Sequence, residues 1–320
     1  MRILVWHMHG SWTTAFVQGK HDYLLPVVPG RGPDGLGRAR TWDWPPSAVE
    51  LSPEELGAGP APDVVVLQRS RDAVLLEQWT GLRAGIDVPA VHVEHDTPRG
   101  DVADWRHPLA GQRQIPIVHV THFNAAMWDN GCAPVHVVEH GVLDGGALWI
   151  GEQARLAMSV NEPVRRWRVA GMDLAARVAR ELPVDVYGMR VDGLVARDDA
   201  FAGGRHADLR QSDLHARVAE HRAYLHTYRW TSLGLSLLEA MMLGAPVLVL
   251  AATAAPEAVP VTAGVVTSDI DELARAARRL LADPDEAAAM GAAGRAHALA
   301  HFGVDRFLGD WDRLLEGVVR

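Results

Sequence analysis

The chain has 320 residues, 48% of them hydrophobic and 22% charged, with a formal net charge of -9. That is enough chain for about two domains of roughly 100–200 residues each, with the balance of a globular rather than a disordered protein. An acidic chain also lacks the clustered Lys and Arg that a nucleic-acid backbone demands, so no nucleic-acid partner is expected.

Two residue types exclude more chemistry. Cys132 is the single cysteine, so no internal disulfide and no multi-cysteine zinc site can form. Lys20 is the single lysine, so a Schiff base to pyridoxal phosphate would have to use a residue in a loop-like stretch. Met1 runs straight into an apolar strand without a signal-peptide core, and no stretch is apolar for the roughly 18 residues that span a membrane. The expectation is a cytoplasmic protein, soluble or peripheral at a membrane.

Short apolar runs predict strands at Arg2–Trp6, Asp63–Leu67, Ala90–Glu94, Ile117–Val120 and Val135–Val138. Helical patterns fall at Arg71–Arg83 and Asn124–Asn130. Gly30–Pro62 is dense in Gly and Pro and reads as irregular chain with a short strand or two. Gly145–Gly146 interrupts the pattern, which places an interdomain linker between Gly141 and Gly151. Strands resume at Leu156–Val160, Val184–Tyr187, Ala223–His226, Pro246–Leu250 and Gly264–Val266, with helices at Met172–Glu181 and Ser232–Leu243. The tail is nearly all helix: Glu272–Ala282, Asp285–His301 and Asp305–Val318. Strands apolar on both faces, alternating with helices, predict parallel sheets buried between helix layers. The fold class is α/β, with two Rossmann-like domains facing a cleft. Ligands gather at the carboxyl ends of such sheets, where helix N-termini converge.

The most informative segment runs from Tyr228 to Val247, YRWTSLGLSLLEAMMLGAPV. It reads as a loop, a helix, a glycine stop and a buried strand. Ser232 is placed to cap the helix, and Gly244 ends it before Pro246. Gly234 removes a side chain from the first turn, exposing amides that suit an anion such as a diphosphate. Glu239, about two turns further on, can accept both hydroxyls of a ribose. By position alone it could equally be an exposed helix carboxylate.

This segment resembles the donor-binding segment of the GT-B glycosyltransferases, in particular the retaining family 4 group. Their motif carries two glutamates with seven residues between them, then Ala-Met and Gly-x-Pro-Val. Glu239 matches the second glutamate, which the resemblance assigns to the nucleotide ribose. Thr231 stands where the first glutamate belongs, beside the transferred sugar. Ala255–Val259, Gly264–Val266 and the closing helices are similar to the same family, as is His140-Gly141-Val142-Leu143-Asp144 at the domain junction, where His140 replaces an Asn. The match is specific over roughly Val135–Leu315 and only topological before it. It implies domains at residues 1–148 (acceptor side) and 149–302 (nucleotide sugar), and a helix at 303–320 that crosses back to the first domain.

The resemblance also implies the rest of the site. The donor set is Glu239, Ser232, Leu233, Gly234, Leu235 and Gly188, with a basic residue after the strand Leu156–Val160 for the diphosphate. Arg168 is the first choice for that role and Arg166 the second, the alternative being a solvated basic loop. His95 matches the strand-end histidine near donor sugar and acceptor, where a neutral ring could donate to a sugar hydroxyl. With Thr231 it makes up the catalytic pair. Gly10, Ser11, Trp12 and Thr13, after the first strand, are candidates for the acceptor side of the cleft; Thr14 belongs with them. His7, His9, His92, His95, His119 and His122 lie near adjacent strand ends, but no His-Glu-x-x-His spacing occurs and no metal is expected.

The implied activity is transfer of a hexose from a nucleotide-diphosphate sugar to an unknown small-molecule, glycan or lipid acceptor. The anomeric configuration is retained by same-face displacement, and neither metal nor cofactor is needed. Alternatives on the same fold are a nucleotide-sugar epimerase, a sugar-phosphate synthase, or a catalytically silent nucleotide-binding protein. A Rossmann oxidoreductase fits less well, because no G-x-G-x-x-G follows an early strand.

Overall fold

Runs of Val, Ile and Leu build two parallel sheets. A computed structural model describes residues 1–320 and divides into two compact units, Met1–Gly141 with Val304–Arg320, and Val142–Gly303. The first contains β1 (Arg2–Val5), α1 (Gly10–Phe16), β2 (Asp22–Pro26), β3 (Ala48–Leu51), α2 (Pro53–Ala58), β4 (Val64–Leu67), α3 (Ser70–Thr80), β5 (Ala90–Glu94), β6 (Ile117–His119), α4 (His122–Met127) and β7 (Val135–Val137). The second contains β8 (Gln153–Ser159), α5 (Met172–Ala179), β9 (Val184–Tyr187), α6 (Leu194–Arg197), β10 (His206–Ala207), α7 (Gln211–Glu220), β11 (His221–His226), α8 (Leu235–Leu243), β12 (Val247–Leu250), α9 (Ala255–Ala258), β13 (Gly264–Thr267), α10 (Ile270–Ala282) and α11 (Pro284–Phe302). The last helix, α12 (Val304–Val319), belongs to the first unit. No helix is long and apolar enough to cross a membrane.

The strand orders are β3-β2-β1-β4-β5-β6-β7 and β10-β9-β8-β11-β12-β13. Each order reverses once, between β1 and β4 and between β8 and β11. In open α/β sheets that is where loops leave room for a ligand. The central strands β1, β4, β5 and β11 are buried nearly throughout, which explains why hydropathy alone announces them.

Four features depart from the sequence reading. β2 lies outside every predicted strand, because its five residues carry no alternation long enough to signal one. Gly30–Pro62 holds β3, in keeping with the short strand or two expected there, but also the unexpected α2, held by a capping box between Ser52 and Glu55 (3.2 and 2.8 Å). α7 was also missed, since only Val218 and Ala219 of its ten residues are buried. The division between units falls at Gly141 rather than after residue 148. Val142 bridges to Gly303 and donates its amide to the Phe302 carbonyl (2.9 Å), which ties it to the second unit.

In the first unit α12 presents Phe307, Trp311 and Leu315, spaced one helical turn apart and all buried. Trp311 meets Trp12 edge-on at 5.7 Å and Phe16 at 5.2 Å, and Phe307 meets Trp12 at 6.1 Å. Truncating a buried aromatic costs about 3–5 kcal/mol. Trp311→Ala is expected to lose that much stability in urea unfolding followed by circular dichroism. A loss below about 1 kcal/mol would show that the contact is not what holds α12.

In the second unit Asp185 is fully buried on β9. It accepts from His221 Nε2 (2.8 Å), Arg155 Nε (2.9 Å) and the Arg205 amide (2.8 Å). Burial pushes its carboxyl up, but the bonds from His221, Arg155 and the Arg205 amide outweigh that and hold it well below the usual range. A carboxyl depressed by folding contributes stability above the unfolded value, roughly 3.9, and loses it as pH falls toward the folded value. The urea midpoint should therefore drop between about pH 5 and pH 3. Asp185→Asn should lower the unfolding free energy at pH 7 by about 3 kcal/mol and flatten the acid slope; an unchanged slope would assign the acid sensitivity elsewhere.

Candidate functional site

The loop from Thr227 to Gly234 joins β11 to α8 and is pinned on both sides. Thr227 Oγ1 donates to the Ala170 carbonyl (3.2 Å), the Arg229 amide to the Val169 carbonyl (2.9 Å), and the Ala254 amide to the Ser232 carbonyl (3.3 Å). Arg229 adds a forked ion pair to Asp173 (2.5 and 2.7 Å). The helix begins at Leu235 with Gly234 as N-cap, so Ser232 does not cap it as the sequence suggested. His226 is the reason for the glycine. A Cβ on Gly234 would lie 2.4 Å from Cε1 of that buried ring. Burial brings the His226 pKa down to about 3, so the ring packs as a neutral group. The amides of Leu233, Gly234 and Leu235 find no backbone carbonyl, which leaves donors at the positive end of the helix dipole.

Glu239 is the one charged residue of α8, a helix otherwise apolar on nearly every side. It lies about one turn from the helix start rather than two, and it is 8% exposed. It is therefore not an exposed helix carboxylate. Oε2 accepts from Gln211 Nε2 at 3.0 Å and lies 3.5 Å from His215 Nε2. Both contacts fall on Oε2, which leaves Oε1 unengaged by them. Gln211 and His215 escaped the sequence reading; their spacing of four on α7 puts both on one face.

The two arginines differ in their surroundings. Arg168 has a side chain 73% exposed and is paired with Asp173, the carboxylate that Arg229 also clamps. Arg166 is only partly exposed and makes no ion pair; its guanidinium lies 5.3 Å from the ring centroid of Tyr228, at the start of the loop. Sequence could not foresee Asp173 and Tyr228 as the partners that separate them. Gly188 ends β9 at φ 144°, where a Cβ would meet the Val160 carbonyl oxygen at 2.4 Å. Backbone packing alone requires glycine there. Thr231 is partly exposed within the loop.

In the first unit His95 follows β5, with Nε2 2.9 Å from Gln68 Oε1. Its ring lies 4.0 Å from that of His9 and 5.1 Å from that of Trp12, centroid to centroid. Burial first, then the neighbouring His9, His140 and His92, hold its pKa well below the usual histidine value. Gly10 and Ser11 keep partial exposure, but Trp12 and Thr13 do not: both are 0% exposed. Trp12 serves the aromatic cluster under α12, and Thr14 is buried as well, accepting from Trp44 Nε1 (2.8 Å). These three side chains belong to the core and cannot face an acceptor.

The six histidines do not converge. His7 bonds the Gly37 carbonyl (2.9 Å), His9 lies beside His95 with the two rings tilted by 33°, and His122 is exposed at the start of α4. His92 instead joins Glu94 and His107, their ligand-type atoms lying within 4.8 Å of one another. Leu109 donates its amide to His107 Nδ1 (3.1 Å), so Nε2 carries the proton and donates to Glu94 Oε2 (3.2 Å). Burial raises the Glu94 carboxyl, but bonds from His107, His92 and the Asp96 amide bring it down to about 2. His119, with a pKa lowered to about 4 mainly by burial, bonds Asn130 (2.8 Å).

The comparisons agree with this architecture. Residues 165–311 match the family model described as "Glycosyl transferase-like". A GDP-mannose-dependent monoacylated alpha-(1-6)-phosphatidylinositol monomannoside mannosyltransferase of Corynebacterium glutamicum is 46% identical over 72 residues, 22% of this chain and 19% of that protein. The chain thus matches about a fifth of that relative's length. Among solved structures, Anabaena HepE in complex with UDP-glucose superposes with a TM-score of 0.72 at 12% identity, covering 99% of this chain and 100% of the other. A sucrose-phosphate synthase from Thermosynechococcus elongatus gives 0.70 at 14% identity, covering 99% and 98%. TarM from S. aureus, in complex with UDP among other ligands, gives 0.64 at 13% identity, covering 79% and 55%. The chain has the GT-B fold, and its residues 165–311 are similar to the glycosyl transferase-like family model.

Proposed function

We propose that this protein is a glycosyltransferase of the retaining family 4 type, which takes a hexose from a nucleotide-diphosphate sugar. The observation that carries the reading is Glu239. A nearly buried carboxylate, with one oxygen held by Gln211 and the other unengaged by that contact, stands one turn from a helix end with open amides. Oε1 is set to accept from the ribose, and the amides of Leu233, Gly234 and Leu235 to take the diphosphate. Arg166, which stacks near Tyr228 and makes no close ion pair although Glu162 feels its charge, supplies the positive charge that the leaving diphosphate needs as its own charge grows. Arg168 is compensated by Asp173 and contributes less.

The chemistry follows the same lines. The departing phosphate assists deprotonation of the acceptor on the same face of the sugar, so the configuration is retained without a carboxylate pair of the glycosidase kind. No resident metal or cofactor is required, and activity should persist in chelator. His95 and Thr231 are the catalytic residues of this reading. UDP in the similar structures and GDP-mannose in the relative's name make these two nucleotides the first donors to test. The acceptor is a small molecule, a glycan or a lipid, and the protein works in the cytoplasm. Thr231 offers a hydroxyl where the family has an acid, which favours slow transfer or a silent nucleotide binder as the second reading.

Thermal-shift titration with UDP, GDP, UDP-glucose and GDP-mannose tests the donor. A ligand at 100 times its Kd adds about 2.7 kcal/mol to stability. Charge-assisted bonds are worth about 1.5–3 kcal/mol each, so Glu239→Ala should weaken the responsive nucleotide about 100-fold, with Glu239→Gln in between. Unchanged affinity in Glu239→Ala would remove the basis of the proposal. Arg166→Ala should weaken a nucleoside diphosphate more than Arg168→Ala does, by about tenfold, while leaving the nucleoside alone unaffected. Equal effects would return the two arginines to one rank.

A further inference from the structure

The carboxyl ends of three adjacent strands in the first unit fix one proton. Trp6 follows β1, Gln68 follows β4 and His95 follows β5, and the sheet order β1-β4-β5 puts them side by side. Asp72, fully buried, anchors the middle member. Its Oδ2 accepts the amides of Gln68 (2.9 Å) and Arg69 (3.0 Å), and Oδ1 accepts from Arg69 Nε (2.9 Å). The Gln68 backbone is therefore set before its side chain is considered.

The side-chain amide then has one permitted orientation. Gln68 Nε2 donates to the Trp6 carbonyl at 2.6 Å, and a carbonyl can only accept. The remaining atom, Oε1, faces His95 Nε2 at 2.9 Å, and an amide oxygen can also only accept. The proton of the His95 bond must then sit on Nε2. We propose that Gln68 is a positioning residue that holds His95 in its Nε2–H tautomer and so turns Nδ1 into the ring's acceptor, for a substrate hydroxyl. The expectation that His95 donates to a sugar hydroxyl is reversed: its donor is spent inward on Gln68, and what remains is a lone pair.

The neighbours preserve that state. The groups that bear on His95 are His9, His140 and His92, all of which would be cationic if charged, so they oppose a second proton. Its direct partner is a neutral amide rather than a carboxylate. A carboxylate at position 68 would stabilise the imidazolium and abolish the lone pair.

The inference rests on the transferase reading only for what Nδ1 meets; the tautomer itself can be read without a ligand. Long-range 1H–15N correlation spectra of 15N-histidine-labelled protein at about pH 7.5, with His95→Asn to assign the ring, should show one protonated nitrogen at Nε2 and one bare nitrogen at Nδ1. Gln68→Met should mix the tautomers. Gln68→Glu should raise the titration midpoint of His95 by at least about one unit. It should also move the acid limb of any transfer rate upward, with kcat falling while KM for the nucleotide sugar holds. A wild-type spectrum with the proton on Nδ1, or with both nitrogens protonated, overturns the proposal even if neither variant folds. A folded variant with the wild-type pattern overturns the role of Gln68. Failure of nucleotide binding would leave these spectra untouched, and a wrong tautomer would leave nucleotide binding untouched.

Discussion

A buried polar atom without a partner costs about 1–3 kcal/mol, and in this protein that penalty decides what the carboxyl ends of the two sheets look like. Parallel strands of Val, Ile and Leu carry the chain into the interior and end there. The first polar residue past each strand must find a partner immediately. Gln68, His95 and Glu239 all occupy such positions or the helix just beyond them. Each is fixed by a small set of bonds: Trp6 and His95 for Gln68, Gln211 for Glu239. Rotamers locked by a second layer of hydrogen bonds are what a precise binding site requires.

The same penalty separates acids that are closed from one that is open. Asp185 is closed: His221, Arg155 and the Arg205 amide cover both its oxygens, and nothing is left for a ligand. Asp72 is closed in the same way by Gln68 and Arg69. Glu239 is open, because both its contacts fall on Oε2. All three are buried acids, and a ranking by burial alone would not tell them apart. Counting which lone pairs are taken does. The same count separates Arg168, whose charge Asp173 already meets, from Arg166, which makes no such ion pair.

Much of the fold was legible because it depends on one-dimensional signals. β5 and β9 fall on the predicted residues, and α8 ends at Gly244 in the left-handed region, as the Gly-x-Pro sequence implies. What stayed hidden depends on partners distant in sequence. Ser232 looks like an N-cap by local chemistry, but the helix starts at Leu235 with Gly234 as its N-cap, and the His226 ring from the preceding strand is what demands a glycine there. Trp12 and Thr13 follow a strand end and so resemble cleft residues, yet Trp311, nearly the whole chain away, claims Trp12 for the core. α7 gave no periodic signal, since it buries almost nothing apolar. Its contribution is polar, through Gln211 and His215, and no hydropathy pattern reports that.

The strand β5 shows how period-two geometry sorts chemistry within a few residues. His92 and Glu94 are two apart and share a face, where they meet His107. Glu94 is thereby committed, with its charge fixed by His107, His92 and the Asp96 amide. Val91 and Val93 turn to the other side and are buried. His95 comes next in the alternation, away from the carboxylate, and meets Gln68 instead. A shift of one residue would have paired the strand-end histidine with an acid and favoured its imidazolium. The register of one strand, set by two buried valines, thus determines whether the ring at its end offers a proton or a lone pair.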